Sequence, residues 1–233
     1  MSDKVCVITG AGPANGRALA KRFGAAGYKV ALLARRLEPL HQIEAEVKGS
    51  RGYRCDVSDA AAVASTLAAV RRDLGPVTTL LYNAGNAVFG SFEQVSAGQM
   101  EDAWKVSVLG LFLCGREVIG EMRAAGGGTI VVTGATASLR GGANFAAFAS
   151  AKAAQRSLAE SMARSLAPDG IHVAYVIVDG VIDTARTRAL LPGKPDEFYL
   201  RPDDIAASVY HVATQPRSAW TFQWDLRPFG EKW

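Results

Sequence analysis

Val5-Cys6-Val7-Ile8-Thr9-Gly10-Ala11-Gly12-Pro13-Ala14-Asn15-Gly16-Arg17-Ala18-Leu19-Ala20 is the stretch that decides the fold. Val5 to Ile8 is a short apolar run of the kind that becomes a parallel strand buried on both faces. The run breaks at Gly10, and a helical pattern begins near Ala14. Three glycines, Gly10, Gly12 and Gly16, stand in the turn. Strand, glycine turn and helix together suit a dinucleotide pyrophosphate. Glycines admit the backbone close to the phosphates, and free N–H groups at the helix N-terminus face the negative charge. The spacing departs from G-x-G-x-x-G, which needs a glycine at Asn15, and from G-x-x-x-G-x-G, which needs one at Ala14. The turn by itself favours nucleotide binding over a plainer reading, in which the glycines only let strand and helix pack tightly.

A chain of 233 residues can build one sizeable α/β core without a second domain. Hydrophobic residues at 49% and charged residues at 21% fit a folded soluble protein. The net charge of +4 is spread out, with Arg35-Arg36 and Arg71-Arg72 as the tight basic spots, so no nucleic-acid stripe is expected. Apolar runs have strand length, which predicts no membrane span. No signal peptide pattern opens the chain. Cys6, Cys55 and Cys114 are far apart and odd in number, as small buried residues in a reducing cytoplasm would be. His41, His172 and His211 lack ligand spacing, so no metal site is expected.

Strand and helix patterns alternate along the chain. Ala18, Leu19 and Phe23 give the first helix an apolar face, and Gly27 ends it. Tyr28 to Leu33 reads as the second strand and runs into Arg35-Arg36. Leu40, Ile43 and Val47 mark the next helix. Tyr53 to Asp56 reads as a third strand, with Ser58 or Asp59 capping the helix that follows. Thr78 to Tyr82 is a fourth strand ending at Asn83-Ala84-Gly85. One long helix is expected from about Ala97 to Arg123, then a strand from Thr129 to Thr133. Phe148 to Leu166 reads as helix, Ile171 to Val178 as the sixth strand, and Asp203 as the cap of a helix reaching about Ala213. Ala219 to Leu226 reads as the last strand. The alternation predicts a single Rossmann-like doubly wound α/β domain over residues 1–233. Its sheet is mainly parallel, with helices on both faces and ligands at the strand C-terminal ends. Residues 183–201, with Pro192, Gly193 and Pro195, read as a mobile loop over that site.

Thr9-Gly10 with Gly16, Asp56-Val57, Asn83-Ala84-Gly85, Lys152 and Gly180-Val181-Ile182-x-Thr184 resemble, in order and spacing, the short-chain dehydrogenase/reductase family over essentially the whole chain. The resemblance implies that the turn from Gly10 through Gly12, Pro13, Ala14 and Asn15 to Gly16 holds the pyrophosphate. It implies that Asp56 and Val57 contact adenine and that Asn83, Ala84 and Gly85 back the ribose. Gly180, Val181, Ile182 and Thr184 would reach the nicotinamide end. At the second strand an acid would bind the 2′-hydroxyl of NAD. Arg35 and Arg36 stand there instead, and arginine suits a 2′-phosphate, so NADP(H) is expected over NAD(H).

The family's catalysis uses Tyr-x-x-x-Lys, a serine thirteen residues before the tyrosine and an asparagine on the long helix. With Lys152 at the lysine position, the tyrosine position is Phe148, the serine position Ala135 and the asparagine position Ser107. Tyr82 stands where a second asparagine is usual, and Asp179 where proline is usual. Phenylalanine cannot exchange a proton. The chain resembles a divergent branch that carries Thr133 to Gly141, a phenylalanine at the tyrosine position and Asp225-Leu226-Arg227-Pro228. Asp179 is the candidate replacement acid, with Thr136, Ser138 and Tyr82 behind it, and Lys152 is expected to bind ribose. The expected function is an NADP(H)-dependent oxidoreductase with an atypical catalytic site, acting on a small carbonyl or alcohol. The alternative is a non-catalytic NADP(H)-binding sensor, scaffold or partner subunit. The family resemblance also implies a homodimer or homotetramer, paired around Trp104 and Ser157.

Overall fold

The computed structural model describes residues 4–230. β1 (Val5–Thr9) is followed by α1 (Asn15–Ala25), β2 (Lys29–Ala34), α2 (Glu38–Glu46), β3 (Ser50–Arg54), α3 (Ala60–Leu74) and β4 (Val77–Tyr82). α4 (Ala97–Trp104) leads through a π-helical turn, Lys105–Leu109, into α5 (Gly110–Ala124) and β5 (Gly128–Ala135). Then come α6 (Ala146–Leu166), β6 (Ile171–Val178), β7 (Val181–Ile182), α7 (Ala185–Leu190), β8 (Tyr199–Leu200), α8 (Pro202–Ala213) and β9 (Gln223–Leu226). Seven strands form one sheet in the order β3-β2-β1-β4-β5-β6-β9, every pair parallel. The chain therefore reverses its direction of travel at β1, opening a crevice between the C-terminal ends of β1 and β4.

Alternation along the strands feeds two cores. Val5 and Val7 face α3, α5 and α6, where Leu67, Leu111, Val118 and Ala159 pack. Cys6 and Ile8 face α1, α2 and α8, where Leu19, Phe23, Ile43 and Val209 pack. Both faces of the central strands are thus covered, which is why they read as continuous apolar runs. All three cysteines are free and buried. Among the described residues no helix is long and apolar enough to cross a membrane.

Several elements differ from the sequence expectation. β3 lies three residues earlier than expected at its start and ends at Arg54, leaving Asp56 in the following turn. Asp59, rather than Ser58, caps α3 and accepts from the Ala61 and Ala62 N–H groups. α8 begins at Pro202 behind Arg201, so Asp203 lies in its first turn and is not its cap. Pro202 suits that first position because it has no N–H to satisfy. Within residues 183–201 stand α7 and β8, and β8 pairs with β7 just before them.

The largest difference is the long helix, which is split by the π turn. Tyr82 reaches up from β4 and donates its hydroxyl to the Val106 carbonyl. The Gln155 amide donates to the Ser107 carbonyl at 2.8 Å. Carbonyls taken by side chains from other elements are released from the helical ladder, a known cause of such turns. Gly110 makes room for this, because a Cβ there would strike the Tyr82 hydroxyl.

Candidate active site

A cleft of about 510 Å³ opens at the crevice and is lined from four strand ends. β1 contributes Gly10, Gly12 and Pro13, β2 contributes Arg35 and Arg36, and the segment after β3 contributes Asp56 and Val57. Ala84 and Gly85 close it from β4.

The turn glycines divide into two kinds. A Cβ on Gly10, which has φ of +63°, would stand 2.7 Å from the Ala84 Cα, and one on Gly16 would stand 2.5 Å from the Ala11 Cα. Those two are required by the chain's own packing. A Cβ on Gly12 meets only the Gly10 carbonyl at 3.9 Å, so the fold itself does not require a glycine there. Gly12 leaves space in the cleft that a ligand can use. Asn83 fixes the turn by donating its side-chain amide to the Gly10 carbonyl at 3.0 Å. The Thr9 hydroxyl accepts from the Asn83 and Ala84 N–H groups. At the start of α1 the N–H groups of Ala14, Asn15 and Gly16 have no acceptor among the described residues. These donors, at the positive end of a helix, fit an anion.

Arg35 and Arg36 are exposed at the rim. Asp56 accepts from the Ser58 hydroxyl at 2.6 Å and from its N–H at 3.0 Å. The Ser58 hydroxyl, with a smaller contribution from Arg35, holds the Asp56 carboxyl below the usual range.

Lys152 projects from α6 beneath Gly85. Its Nζ would lie 3.8 Å from a Gly85 Cβ. Nζ donates to the Thr133 carbonyl at 2.8 Å and to Gln155 Oε1 at 2.9 Å. An ammonium has three donors, so one remains for a ligand. Both partners are neutral, and burial pulls the Lys152 pKa down to about 8. Gln155 Oε1 also accepts from the Tyr175 hydroxyl at 3.2 Å, and Tyr175 bonds Ser138 at 2.8 Å. Gln155, Tyr175 and Ser138 thus form a buried polar layer behind the lysine. Gln155 and Tyr175 were not foreseen; the one available signal was a glutamine three residues after Lys152, on the same helix face.

The other expected residues are placed as follows. Ser107 is fully buried in the π turn, and its hydroxyl has no partner among the described residues. Tyr82 is fully buried and engaged at Val106, which removes it from consideration as an acid. Ser138 faces inward to Tyr175. Asp179, at the end of β6, accepts from the Thr136 hydroxyl and pairs with Arg227 at 3.3 Å. The pairing of Arg227 with Asp179 was not foreseen, although Asp225-Leu226-Arg227-Pro228 stood out in the sequence. Gly180, at φ of +152°, lies against Pro228 and Leu200, and Val181 and Ile182 form β7. The Thr184 hydroxyl caps α7, accepting from the Thr187 N–H at 3.0 Å. Ala14 and Thr184 border a second recess of about 480 Å³ beside Arg17 and Lys21, which shares Pro13 with the first cleft.

One turn before Lys152, the Phe148 ring stands 5.5 Å from Phe89 and 6.3 Å from Phe145. Phe89 and Phe145 meet edge to face at 5.2 Å. Their loops are tied by Gly90 N–H to the Asn144 carbonyl at 2.8 Å and Ala146 N–H to the Gly90 carbonyl at 3.4 Å.

Comparison with known proteins accords with this architecture. Residues 4–194 match the family described as short chain dehydrogenase. The inactive 2-(S)-hydroxypropyl-CoM dehydrogenase 2 of Xanthobacter autotrophicus is 36% identical over 205 residues, covering 82% of this chain and 89% of that protein. The 2-(R)-hydroxypropyl-CoM dehydrogenase of the same organism is 32% identical over 194 residues, covering 80% and 77%. A crystal structure of a short-chain dehydrogenase from Rhodopseudomonas palustris superimposes with a TM-score of 0.83 at 34% identity, covering 97% of this chain and 99% of that one. The seven-stranded parallel sheet, the glycine turn at its crevice and this match over most of its length place the chain in the short-chain dehydrogenase/reductase family of oxidoreductases.

Proposed function

We propose that the protein is an NADP(H)-dependent oxidoreductase with an altered proton-transfer group, acting on a small carbonyl or alcohol. The observation that carries the cofactor assignment is the pair Arg35 and Arg36 at the rim of the cleft. The end of β2 carries no acid to take a ribose 2′-hydroxyl, since Arg35 and Arg36 follow Ala34 and Glu38 is the first acid after it, and a guanidinium fork suits a 2′-phosphate. The residues present fit a dinucleotide. Gly12 leaves room for the pyrophosphate, and the first N–H groups of α1 face it. Asp56 and Val57 flank the adenine, Ala84 and Gly85 back the ribose with Asn83 holding the turn, and Lys152 offers its third N–H to ribose hydroxyls. When bound, the nicotinamide supplies or takes the hydride.

Proton transfer is where this chain departs from its family. Phe148 and Ala135 stand at the positions where the family pattern has its tyrosine and serine, and neither carries a hydroxyl. Asp179 is the carboxylate we assign to the proton step. Both its oxygens are engaged, by Thr136 and Arg227, so substrate must loosen one of them before Asp179 can act. The absence of a free hydroxyl at those two positions favours a second reading, a nucleotide-binding protein without turnover, as the name of the inactive Xanthobacter relative suggests. We place residues 183–201 beside the substrate and assign a cytoplasmic location, consistent with three unpaired cysteines. Trp104 and Phe112, exposed on the α4–α5 face, suit pairing into a homodimer or homotetramer.

The test is a calorimetric titration with NADPH and NADH, repeated on Arg35→Asp. NADPH should bind more tightly, and the substitution should reverse the order. Equal affinities that the substitution leaves unchanged would remove the assignment.

A further inference from the structure

The three rings around the N-terminus of α6 serve no purpose in the fold that requires their exposure. Phe89 is 57% exposed and Phe145 is 38% exposed, and both stand beside Phe148 one turn from Lys152. They come from two loops that follow β4 and β5, joined by the Gly90–Asn144 and Ala146–Gly90 hydrogen bonds. The cluster is therefore held in place before any ligand arrives. We propose that Phe89, Phe145 and Phe148 form a pocket for a flat aromatic group carrying the reacting carbonyl or alcohol. This deepens the oxidoreductase reading and rests on it for the word reacting.

Chemistry at the surrounding positions points the same way. Phe148 and Ala135 remove polar atoms from the approach to Lys152. The Arg227 guanidinium is already held by carboxylates, Asp179 at 3.3 Å and Asp225 at 3.8 Å, so it is engaged within the protein before an anionic substrate arrives. Lys152, one turn along α6 from Phe148, is directed at carbonyl oxygens. Rings arranged edge to face, at 5.2 and 5.5 Å, leave both faces and edges to meet another planar ring. A protein partner fits poorly. Three aromatic side chains offer at most roughly 750 Å² even when fully exposed, below the ~800 Å² per partner of a stable interface.

The experiment uses the full-length protein saturated with NADP⁺ and two twelve-carbon ketones, 2-acetylnaphthalene and its saturated analogue 2-acetyldecalin. Calorimetry is expected to show the naphthyl ketone binding about tenfold more tightly, the gain of one to two aromatic contacts beyond equal apolar area. Phe89→Leu and Phe145→Leu should each erode the preference, and the double variant should abolish it, while NADPH affinity stays unchanged. Equal wild-type affinities for the two ketones overturn the proposal, as does a preference that survives the double variant. A double variant that changes only the sedimentation coefficient assigns the rings to self-association and also overturns it. Repeating the titration without nucleotide separates the two readings. A naphthyl preference in a protein that binds no NADP(H) keeps the aromatic pocket and removes the oxidoreductase assignment.

Discussion

Replacing Lys152 with methionine should change how stability depends on pH. Lys152 is buried beside two neutral acceptors, and its pKa falls from 10.5 to about 8. The folded protein therefore releases this proton before the unfolded chain does. Below pH 8 both states hold it, and folding bears the cost of burying the charge. Between about 8 and 10.5 the unfolded state binds more protons, so stability rises with pH. The gain attributable to Lys152 is on the order of 1 kcal/mol at pH 9 and on the order of 3 kcal/mol by pH 10.5. Methionine keeps the apolar stem and cannot titrate. The assay is urea unfolding of wild type and Lys152→Met, without nucleotide, from pH 7 to 10.5. Other groups titrate alike in both proteins, so the quantity read is the difference between the curves. Wild type should gain on the variant steadily above pH 8. Parallel curves across that range would refute the argument, because they would mean the ammonium is solvated.

Gly16→Ala should destabilise the protein by 1 to 3 kcal/mol or about that in thermal unfolding, since the new methyl meets Ala11 backbone at 2.5 Å. Gly12→Ala should leave the midpoint nearly unchanged and weaken NADPH binding instead, a split that calorimetry alongside the melt will show. Phe148→Tyr with Ala135→Ser should raise ketone reduction by roughly 10²–10⁴, because Lys152 already stands one turn away to favour the phenolate; a coupled NADPH absorbance assay reads it, and no rise would count against the correspondence of those positions. Asp179→Asn should abolish whatever turnover the wild type has, and unchanged kcat would exclude Asp179 from the proton step.

The sheet was legible because its strands are continuous apolar runs between turn residues. β6 matches its expected bounds, Ile171–Val178, at both ends. β3 was misplaced because Ser50-Arg51-Gly52-Tyr53-Arg54 is largely polar and lies at the sheet edge, where burial leaves little pattern. The π turn was illegible because its cause is remote: Tyr82 from β4 and Gln155 from α6 capture two adjacent carbonyls. No local signal in Lys105-Val106-Ser107-Val108-Leu109 announces that. The cleft was readable as a set of residues, yet the sequence does not distinguish a glycine needed by its neighbours, Gly16, from one free for a ligand, Gly12. That distinction depends on what stands opposite. The Arg227 pairing was missed for the same reason, since its partner Asp179 follows a different strand, β6.

The strand order also bears on how the chain is made. β1 is the earliest strand, yet one of its two neighbours, β4, pairs Val77 with Val5, some seventy residues later. A ribosome-bound chain that has emerged only as far as β3 can assemble β1, β2 and β3 with the Val5–Thr9 edge open. That edge is apolar up to Thr9 and carries no charge or proline to repel another strand. The nascent half-sheet is thus the stage most exposed to aggregation, and it lasts until residues 77–82 clear the exit tunnel. Slowing translation between β3 and β4 should lower soluble yield, whereas slowing it after β4 should not.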